Sequence, residues 1–175
     1  MIALKRGYSF IGFLFISGFG TILHFLYDWT GGNTIVAAFS GVNESTFEHL
    51  KLFYWPFFIY SIYEWFKYGK DMCGFWFIKL KSLFLSLTFI VAFFYTYRGV
   101  FGFNIDTLNI LDFFLAAAIS RIYEMGAKRK RCSKRLDKIS LVLITIVGLL
   151  FVVFTFYPPH IGLFKDPKGF YGILP

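Results

Sequence analysis

The residues of this chain best suited to chemistry lie in a short polar segment, residues 43–51, between two long apolar stretches. The segment holds two carboxylates, Glu44 and Glu48, together with His49 and Lys51. Ionisable side chains at the end of a membrane-spanning helix are costly to bury, so they usually face a protein interior or a watery cavity. The segment is therefore the first candidate for a functional site.

The three histidines of the chain are predicted to lie at the same face of a membrane. His24 lies one turn before the end of one predicted helix and His49 one turn after the start of the next. At 1.5 Å per residue, both lie roughly 6 Å inside their helix ends. Pro158 and Pro159 restrict the direction of the chain just before His160. If the tail folds back over the helices, the three imidazoles converge.

Three histidines with a nearby glutamate suit a catalytic zinc ion, which takes three protein ligands and lowers the pKa of a bound water toward neutrality. We therefore expect a zinc site with the ligands His24, His49 and His160. Glu48 or Glu44 is expected to act as the general base. The sequence contains no HExxH motif or similarly spaced zinc signature, so a polar, hydrogen-bonded pocket without a metal is the alternative.

Other polar side chains are expected to support this site. Lys51, one turn from Glu48, is placed to neutralise an anionic substrate or an oxyanion. Asp28 shares a helix face with His24 at a spacing of four residues, so it is placed to orient that imidazole. The other supporting residues expected near the same face are Asn43, Asp112 and Asp166.

The composition indicates a membrane protein. Hydrophobic residues make up 57% of the 175 residues and charged residues 16%, with 26 phenylalanines and a mean hydropathy of +0.63. A soluble domain of this length leaves roughly a third of its extended-chain surface exposed and could not hide this much apolar area. Lipid must therefore be the solvent for most of the chain. The net charge of +8 is explained by basic residues at the ends of spans, so no nucleic-acid partner is expected.

The apolar runs predict an all-α, polytopic fold with five transmembrane helices in one bundle. The predicted spans are residues 8–27, 46–68, 74–97, 105–125 and 139–157. The second begins in a capping-box pattern, Ser45 to Glu48, and Lys79 near the start of the third is expected to snorkel to the interface. The fourth carries Asp112 on a polar face that should point inward. Residues 158–175 contain too much Pro and Gly for a sixth span and are predicted to be an extracellular tail that folds over the outer face.

The distribution of lysine and arginine predicts the orientation. With the N-terminus inside, five crossings place most basic residues, including seven between residues 128 and 138, on the cytoplasmic side. The C-terminus is then outside, and the basic loop 128–138 is expected to contact anionic lipids. Cys73 and Cys132 fall in loops assigned to the cytoplasm, so a structural disulfide is not expected.

The two polar segments also carry a resemblance to known families. The segment Val42-Asn-Glu-Ser-Thr-Phe-Glu-His-Leu-Lys51, paired with Pro158-Pro-His-Ile-Gly-Leu-Phe-Lys-Asp166 and a closing Gly-Phe-Tyr-Gly, resembles a family of small bacterial multi-spanning proteins known as a domain of unknown function. This resemblance covers essentially the whole chain and implies a bacterial cytoplasmic membrane and five helices. A looser similarity is to membrane hydrolases of the alkaline-ceramidase and adiponectin-receptor type, which hold zinc with histidines and an acidic residue from several helices.

Two classes of function follow from these expectations. The first is a multi-pass protein of the cell membrane that acts as a metal-dependent hydrolase on a lipid or amphiphile at the outer leaflet. The second is a non-catalytic component that binds or transports a small solute or an ion in the same pocket, an arrangement compatible with a homo-oligomer. The sequence leaves open whether the protein is an enzyme, and the presence of bound metal separates the two classes.

Overall fold

The computed structural model describes residues 6–127 and 133–173, and these residues form an all-α protein, as predicted. Six α-helices follow one another in the described residues: α1 (Arg6–Trp29), α2 (Thr34–Ala37), α3 (Thr46–Lys67), α4 (Phe75–Phe101), α5 (Asp106–Gly126) and α6 (Lys134–Phe156). Short 3₁₀ turns lie at Gly69–Asp71 and Gly162–Phe164. The five long helices overlap the five predicted spans.

Three of the five long helices are long and apolar enough to cross a membrane, namely Gly7–Trp29 of α1, α4 and α6. α3 and α5 have 22 and 21 residues, or roughly 33 and 31 Å at 1.5 Å per residue. Their charged residues are spread from the first turn to the last: Glu48, Lys51, Glu64 and Lys67 in α3, and Asp106, Asp112, Arg121 and Glu124 in α5. In α6, by contrast, the four charged residues all lie in the first five positions. By length and composition, the described residues therefore support a membrane protein with three apolar spans.

α3 is the central helix of the bundle. It packs against α1, α4, α5 and α6, and the buried residues of its first half lie on all sides of the helix. Phe53, Tyr54 and Phe57 of α3 are almost completely buried in the main apolar cluster. The polar residues in the first turn of α3 are consequently held between several other elements.

Gly148 allows α6 to approach α3 closely. The Tyr54 ring lies so near that a Cβ at position 148 would overlap with it. The Tyr54 hydroxyl also donates to the backbone oxygen of Ile144 at 2.9 Å. The absence of a side chain at Gly148 is thus what lets Tyr54 reach the backbone of α6.

A buried ionic cluster joins α3, α4 and α5 at the end of the bundle opposite to His49. Arg121 donates to Glu64 at 2.5 Å and to Glu124 at 2.7 Å, and Lys79 donates to Glu124 at 2.7 Å and also to Glu64. The two positive and two negative groups balance, and all four side chains are buried. The prediction that Lys79 snorkels to the interface is wrong, because two carboxylates hold it inside the bundle.

Of the two cysteines, Cys73 lies within the described residues, and its state differs from the prediction. Cys73 is disulfide-bonded, so the expectation that it forms no disulfide is wrong. Cys132 and residues 128–132 of the basic loop lie outside the described residues. A sequence pattern can assign a loop to one side of the membrane, but it does not show whether a cysteine of that loop forms a disulfide.

Replacing Gly148 with alanine is expected to lower the free energy of unfolding by about 1–3 kcal/mol, the usual cost of overpacking, although alanine is a better helix former than glycine by roughly 1 kcal/mol. Gly18→Ala is the matched control on α1, because nothing lies within 4 Å of a Cβ built there. Thermal unfolding of both variants in one detergent measures the difference. Equal unfolding midpoints for the two variants would contradict the close contact between α3 and α6.

Candidate metal centre

Two imidazoles and a carboxylate converge where the last turns of α1, the loop before α3 and the first turn of α3 meet. The Nε2 atoms of His24 and His49 each lie 3.6 Å from a different carboxylate oxygen of Glu44. One ligand atom from each of the three residues lies within 4.8 Å of the other two. We call these three residues the His–Glu cluster.

The distances in the His–Glu cluster suit a shared metal ion better than direct hydrogen bonds. A separation of 3.6 Å is longer than an N–H···O hydrogen bond, which spans roughly 2.7–3.2 Å. In a tetrahedral zinc site with bonds of about 2.0–2.1 Å, neighbouring ligand atoms lie about 3.3 Å apart. Two imidazoles and one carboxylate are also a ligand set that catalytic zinc sites use.

The first turn of α3 orients His49. Ser45 caps the helix by accepting a hydrogen bond from the backbone N–H of Glu48 at 3.4 Å, which is one half of the predicted capping box. The Glu48 carboxylate accepts from the backbone N–H of Val42 instead of that of Ser45. The backbone oxygen of Ser45 lies 3.0 Å from Nδ1 of His49. A carbonyl oxygen can only accept, so Nδ1 carries the proton and Nε2 keeps its lone pair. This hydrogen bond therefore selects the tautomer in which Nε2, facing Glu44, can bind a metal.

The loop that follows α2 is attached to α1 beside His24. The hydroxyl of Ser40 donates to the backbone oxygen of Leu23 at 2.6 Å and accepts from the backbone N–H of Tyr27 at 2.9 Å. The backbone N–H of Gly41 also donates to Leu23 at 3.3 Å. These bonds bracket His24 on α1 and bring the loop that carries Glu44 next to its ring.

The tail holds the backbone of Glu44 in place. The carboxylate of Asp166 accepts from the backbone N–H of Glu44 at 2.8 Å. The side chain of Asn43 donates to the backbone oxygen of Gly172 at 2.9 Å and accepts from the backbone N–H of Ser45 at 2.8 Å. Two of the expected supporting residues, Asn43 and Asp166, thus fix the loop, while the Glu44 side chain is left to face the histidines.

Glu48 and Lys51 form a buried ion pair next to the His–Glu cluster. The Lys51 ammonium donates to Glu48 at 2.6 Å, to the backbone oxygen of Ala37 at 2.8 Å and to the hydroxyl of Thr155 at 2.8 Å. These acceptors use all three N–H groups of the ammonium. Glu48 also accepts from the backbone N–H of Val42 at 3.2 Å. Neither charged group is free to meet a substrate while this network is intact.

Two predicted site residues, His160 and Asp28, are exposed and lie outside the His–Glu cluster. The His160 ring is exposed and stacks on Tyr171, with ring centroids 4.6 Å apart. Asp28 is exposed as well, and among the described residues no hydrogen bond joins its carboxylate to the His24 ring. Glu44 takes the position beside His24 that was expected for Asp28. The structure therefore brings together two of the three predicted histidines, with Glu44 as the third ligand group.

Asp112 lies near the cluster without joining it. Its side chain is buried on the inward face of α5, as predicted, and Ala116 and Ser120 of the same face are buried too. It lines a small cavity between α3, α4 and α5 that His49 also lines. Of the four expected supporting residues, Asn43, Asp112 and Asp166 are thus buried or half-buried, whereas Asp28 is exposed.

Two positioning residues were missed by the sequence analysis. Ser40 joins the loop to α1, and Thr155 of α6 accepts from Lys51. Both are small hydroxyl residues in otherwise apolar surroundings, where serine and threonine commonly bond the backbone of their own helix. Their spacing carries no signal of a long-range contact, so sequence patterns could not have identified them.

The described residues define an all-α protein with helices long and apolar enough to cross a membrane. Where two helix ends adjoin, it carries a cluster of side chains of the types that bind metals. Residues 3–173 match a family of unknown function, DUF6512, and the chain belongs to that family. The predicted membership of an uncharacterised family is thereby confirmed. No curated protein and no solved structure matches the chain.

Purified protein is expected to bind about one zinc ion per chain, and changing His24 or His49 to alanine should weaken metal binding by at least roughly tenfold, because each change removes one of three ligands. Elemental analysis after dialysis measures the bound metal. His160→Ala is the matched control, since it removes a histidine that stacks on Tyr171 outside the cluster. The site is contradicted if His160→Ala loses as much metal as His49→Ala, or if the unaltered protein binds none.

Proposed function

We propose that this protein is a membrane-embedded, zinc-dependent hydrolase whose site opens at the outer face of the membrane and acts on a lipid or amphiphile. The observation that carries the proposal is the convergence of His24, Glu44 and His49, with one potential ligand atom of each lying within 4.8 Å of the other two. A zinc ion with three protein ligands keeps a position for water, lowers the pKa of that water and polarises a carbonyl or phosphoryl oxygen.

The exposure of the cluster supports a catalytic role over a purely structural one. The Glu44 side chain is 57% exposed, and those of His24 and His49 are 30% and 23% exposed. Structural zinc sites are closed by four protein ligands, whereas catalytic sites keep an open position. Within residues 6–127 and 133–173, three groups that can bind a metal lie together in this cluster, one fewer than a structural zinc site uses. A substrate could therefore reach an ion at this place from outside.

The contacts support a different division of roles from the one expected from the sequence. Glu44 is proposed as a metal ligand, with Glu48 and Lys51 maintaining the loop geometry. A second carboxylate, Asp106 at the first residue of α5, is exposed and lies one turn before Asn109, which lines the same cavity as His49. We assign Asp106 the role of proton acceptor for the attacking water, which the sequence analysis gave to Glu48 or Glu44.

We further propose that α3 and α5 cross the membrane with the three more apolar helices, which makes the chain a five-span protein of the cell membrane. Most charged groups of these two helices are paired inside the bundle, which is the usual arrangement of ionisable residues in membranes. The outer surface of α5 is apolar, with Ile110, Leu111, Phe114, Leu115 and Ile122 exposed. Such a surface fits contact with lipid, and the basic loop 128–138 would add contact with anionic headgroups.

The proposed orientation has the N-terminus inside and the C-terminus outside. Its support is the excess of lysine and arginine at the end of the bundle that carries the loop 128–138. The disulfide of Cys73, at the same end, argues for the opposite orientation, because disulfides persist mainly in oxidising compartments. The charge bias is the stronger argument, since it involves many residues in several loops.

Fusion reporters test this orientation. Alkaline phosphatase, which matures only outside the cytoplasm, is expected to be active when it is fused after Pro175 and inactive when it is fused within the loop 128–138. A green fluorescent protein that folds only inside should give the reverse pattern. Fluorescence from the C-terminal fusion together with phosphatase activity from the loop fusion would invert the orientation and place the His–Glu cluster inside.

The second candidate function is a non-catalytic component that binds a small solute or an ion, as a homo-oligomer in the membrane. The observation that favours it is the saturation of Glu48 and Lys51 by internal contacts, which removes two groups expected to take part in catalysis. In this alternative the His–Glu cluster holds its ion without turnover.

A hydrolysis assay separates the two candidates. Protein in lipid vesicles that contain fluorogenic ester and amide amphiphiles is expected to release product, and a zinc chelator should abolish this release until zinc is restored. Asp106→Asn should retain the metal and lose roughly 10²–10⁴-fold in rate, the usual contribution of a general base. His160→Ala should keep full activity. Metal-loaded protein that turns over none of these amphiphiles would favour the binding function.

A further inference from the structure

A small cavity beside the His–Glu cluster combines polar and apolar walls. It lies between α3, α4 and α5, with Ile90, Phe94 and Phe113 as its apolar lining. The polar groups of the wall come from Thr46, His49, Asn109 and Asp112. Its volume is about 20 Å³, which is enough for one particle of the size of a water molecule.

Asp112 reaches this cavity without a partner. The residue is 3% exposed, and among the described residues no donor meets its Oδ1 atom. Among the described residues, no lysine, arginine or histidine forms an ion pair with this carboxylate. An ionised carboxylate in a low-dielectric interior is strongly unfavourable unless a counter-charge or a set of donors stabilises it.

His49 does not supply this counter-charge. Its Nδ1–H donates to the backbone oxygen of Ser45, and its Nε2 faces Glu44. Both ring nitrogens are therefore engaged away from Asp112. A water molecule or a small cation that enters the cavity can partner this carboxylate oxygen.

We infer that the cavity is a binding site for a monovalent metal cation such as Na⁺ or K⁺, distinct from the His–Glu cluster. Asp112 would supply the negative charge, and the Thr46 hydroxyl and the Asn109 amide oxygen would supply further ligands. Oxygen donors are the preferred ligands of hard cations. A single carboxylate balances one positive charge, which favours a monovalent ion over a divalent one.

Asn109 is already held in place for this role. Its amide oxygen accepts from the hydroxyl of Tyr97, and its amide nitrogen donates to Asn104 at 3.0 Å. An amide oxygen has two lone pairs, so one remains for a cation. A bound ion would tie α5 to the first turn of α3, which carries His49.

Thermal unfolding of the purified protein in NaCl, KCl and choline chloride at equal ionic strength tests this site. Na⁺ or K⁺ is expected to raise the midpoint in a saturable way, by roughly 3–6 °C at ten times the dissociation constant, whereas choline is too large to enter. Asp112→Asn should abolish the difference between salts. Asp28→Asn, which removes an exposed carboxylate, should leave it unchanged.

The expected shift of the unfolding midpoint by Na⁺ or K⁺ is independent of zinc binding. His24→Ala should keep this shift even if it loses the metal of the His–Glu cluster. Thr46→Val, which removes one oxygen ligand, should weaken the response and serves if Asp112→Asn does not fold. Identical midpoints in all three salts for the unaltered protein would overturn the inference. A salt response that persists in Asp112→Asn would overturn it equally.

Discussion

The buried ion pair between Glu48 and Lys51 is the interaction on which the arrangement of the site depends. Lys51 is completely buried and meets acceptors from three elements, Glu48 on α3, the backbone of Ala37 on α2 and Thr155 on α6. A buried ammonium without partners would be strongly unfavourable, so these elements must stay together. Because α2 precedes the loop that carries Glu44, the same pair sets the distance between that loop and α3.

The charged residues of the central helix α3 fall into two groups with different roles. At its first turn, the Glu48–Lys51 pair lies beneath the His–Glu cluster, whose Glu44 is exposed and accessible. Near its last turn, Glu64 belongs to a neutral ionic cluster with buried partners on α4 and α5. The second group fastens three helices together, while the first leaves polar groups available at the surface. Only the N-terminal end of α3 therefore combines a buried ion pair with a site that is open to the surface.

Much of the architecture was predictable, and the errors have a common cause. Apolar runs located the five long helices, and the equal depths of His24 and His49 predicted that these two rings meet. Local spacing could not show where the tail folds, so His160 was expected in the site although it stacks on Tyr171 instead. Lys51 was expected to face a substrate, but it donates to Thr155, which lies 104 residues away. Thr155 belongs to an apolar run, and nothing in that run indicates a contact with Lys51. Both errors concern contacts between segments that are distant in the sequence, and local residue patterns do not predict such contacts.

The central claim is that His24, Glu44 and His49 bind one metal ion together. X-ray absorption spectroscopy at the zinc edge of the purified protein reports the ligand atoms of that ion directly. The predicted spectrum has nitrogen and oxygen ligands at about 2.0–2.2 Å, including two imidazoles, and no sulfur. A sulfur shell at about 2.3 Å, or a protein that takes up no zinc when zinc is supplied, would contradict the account.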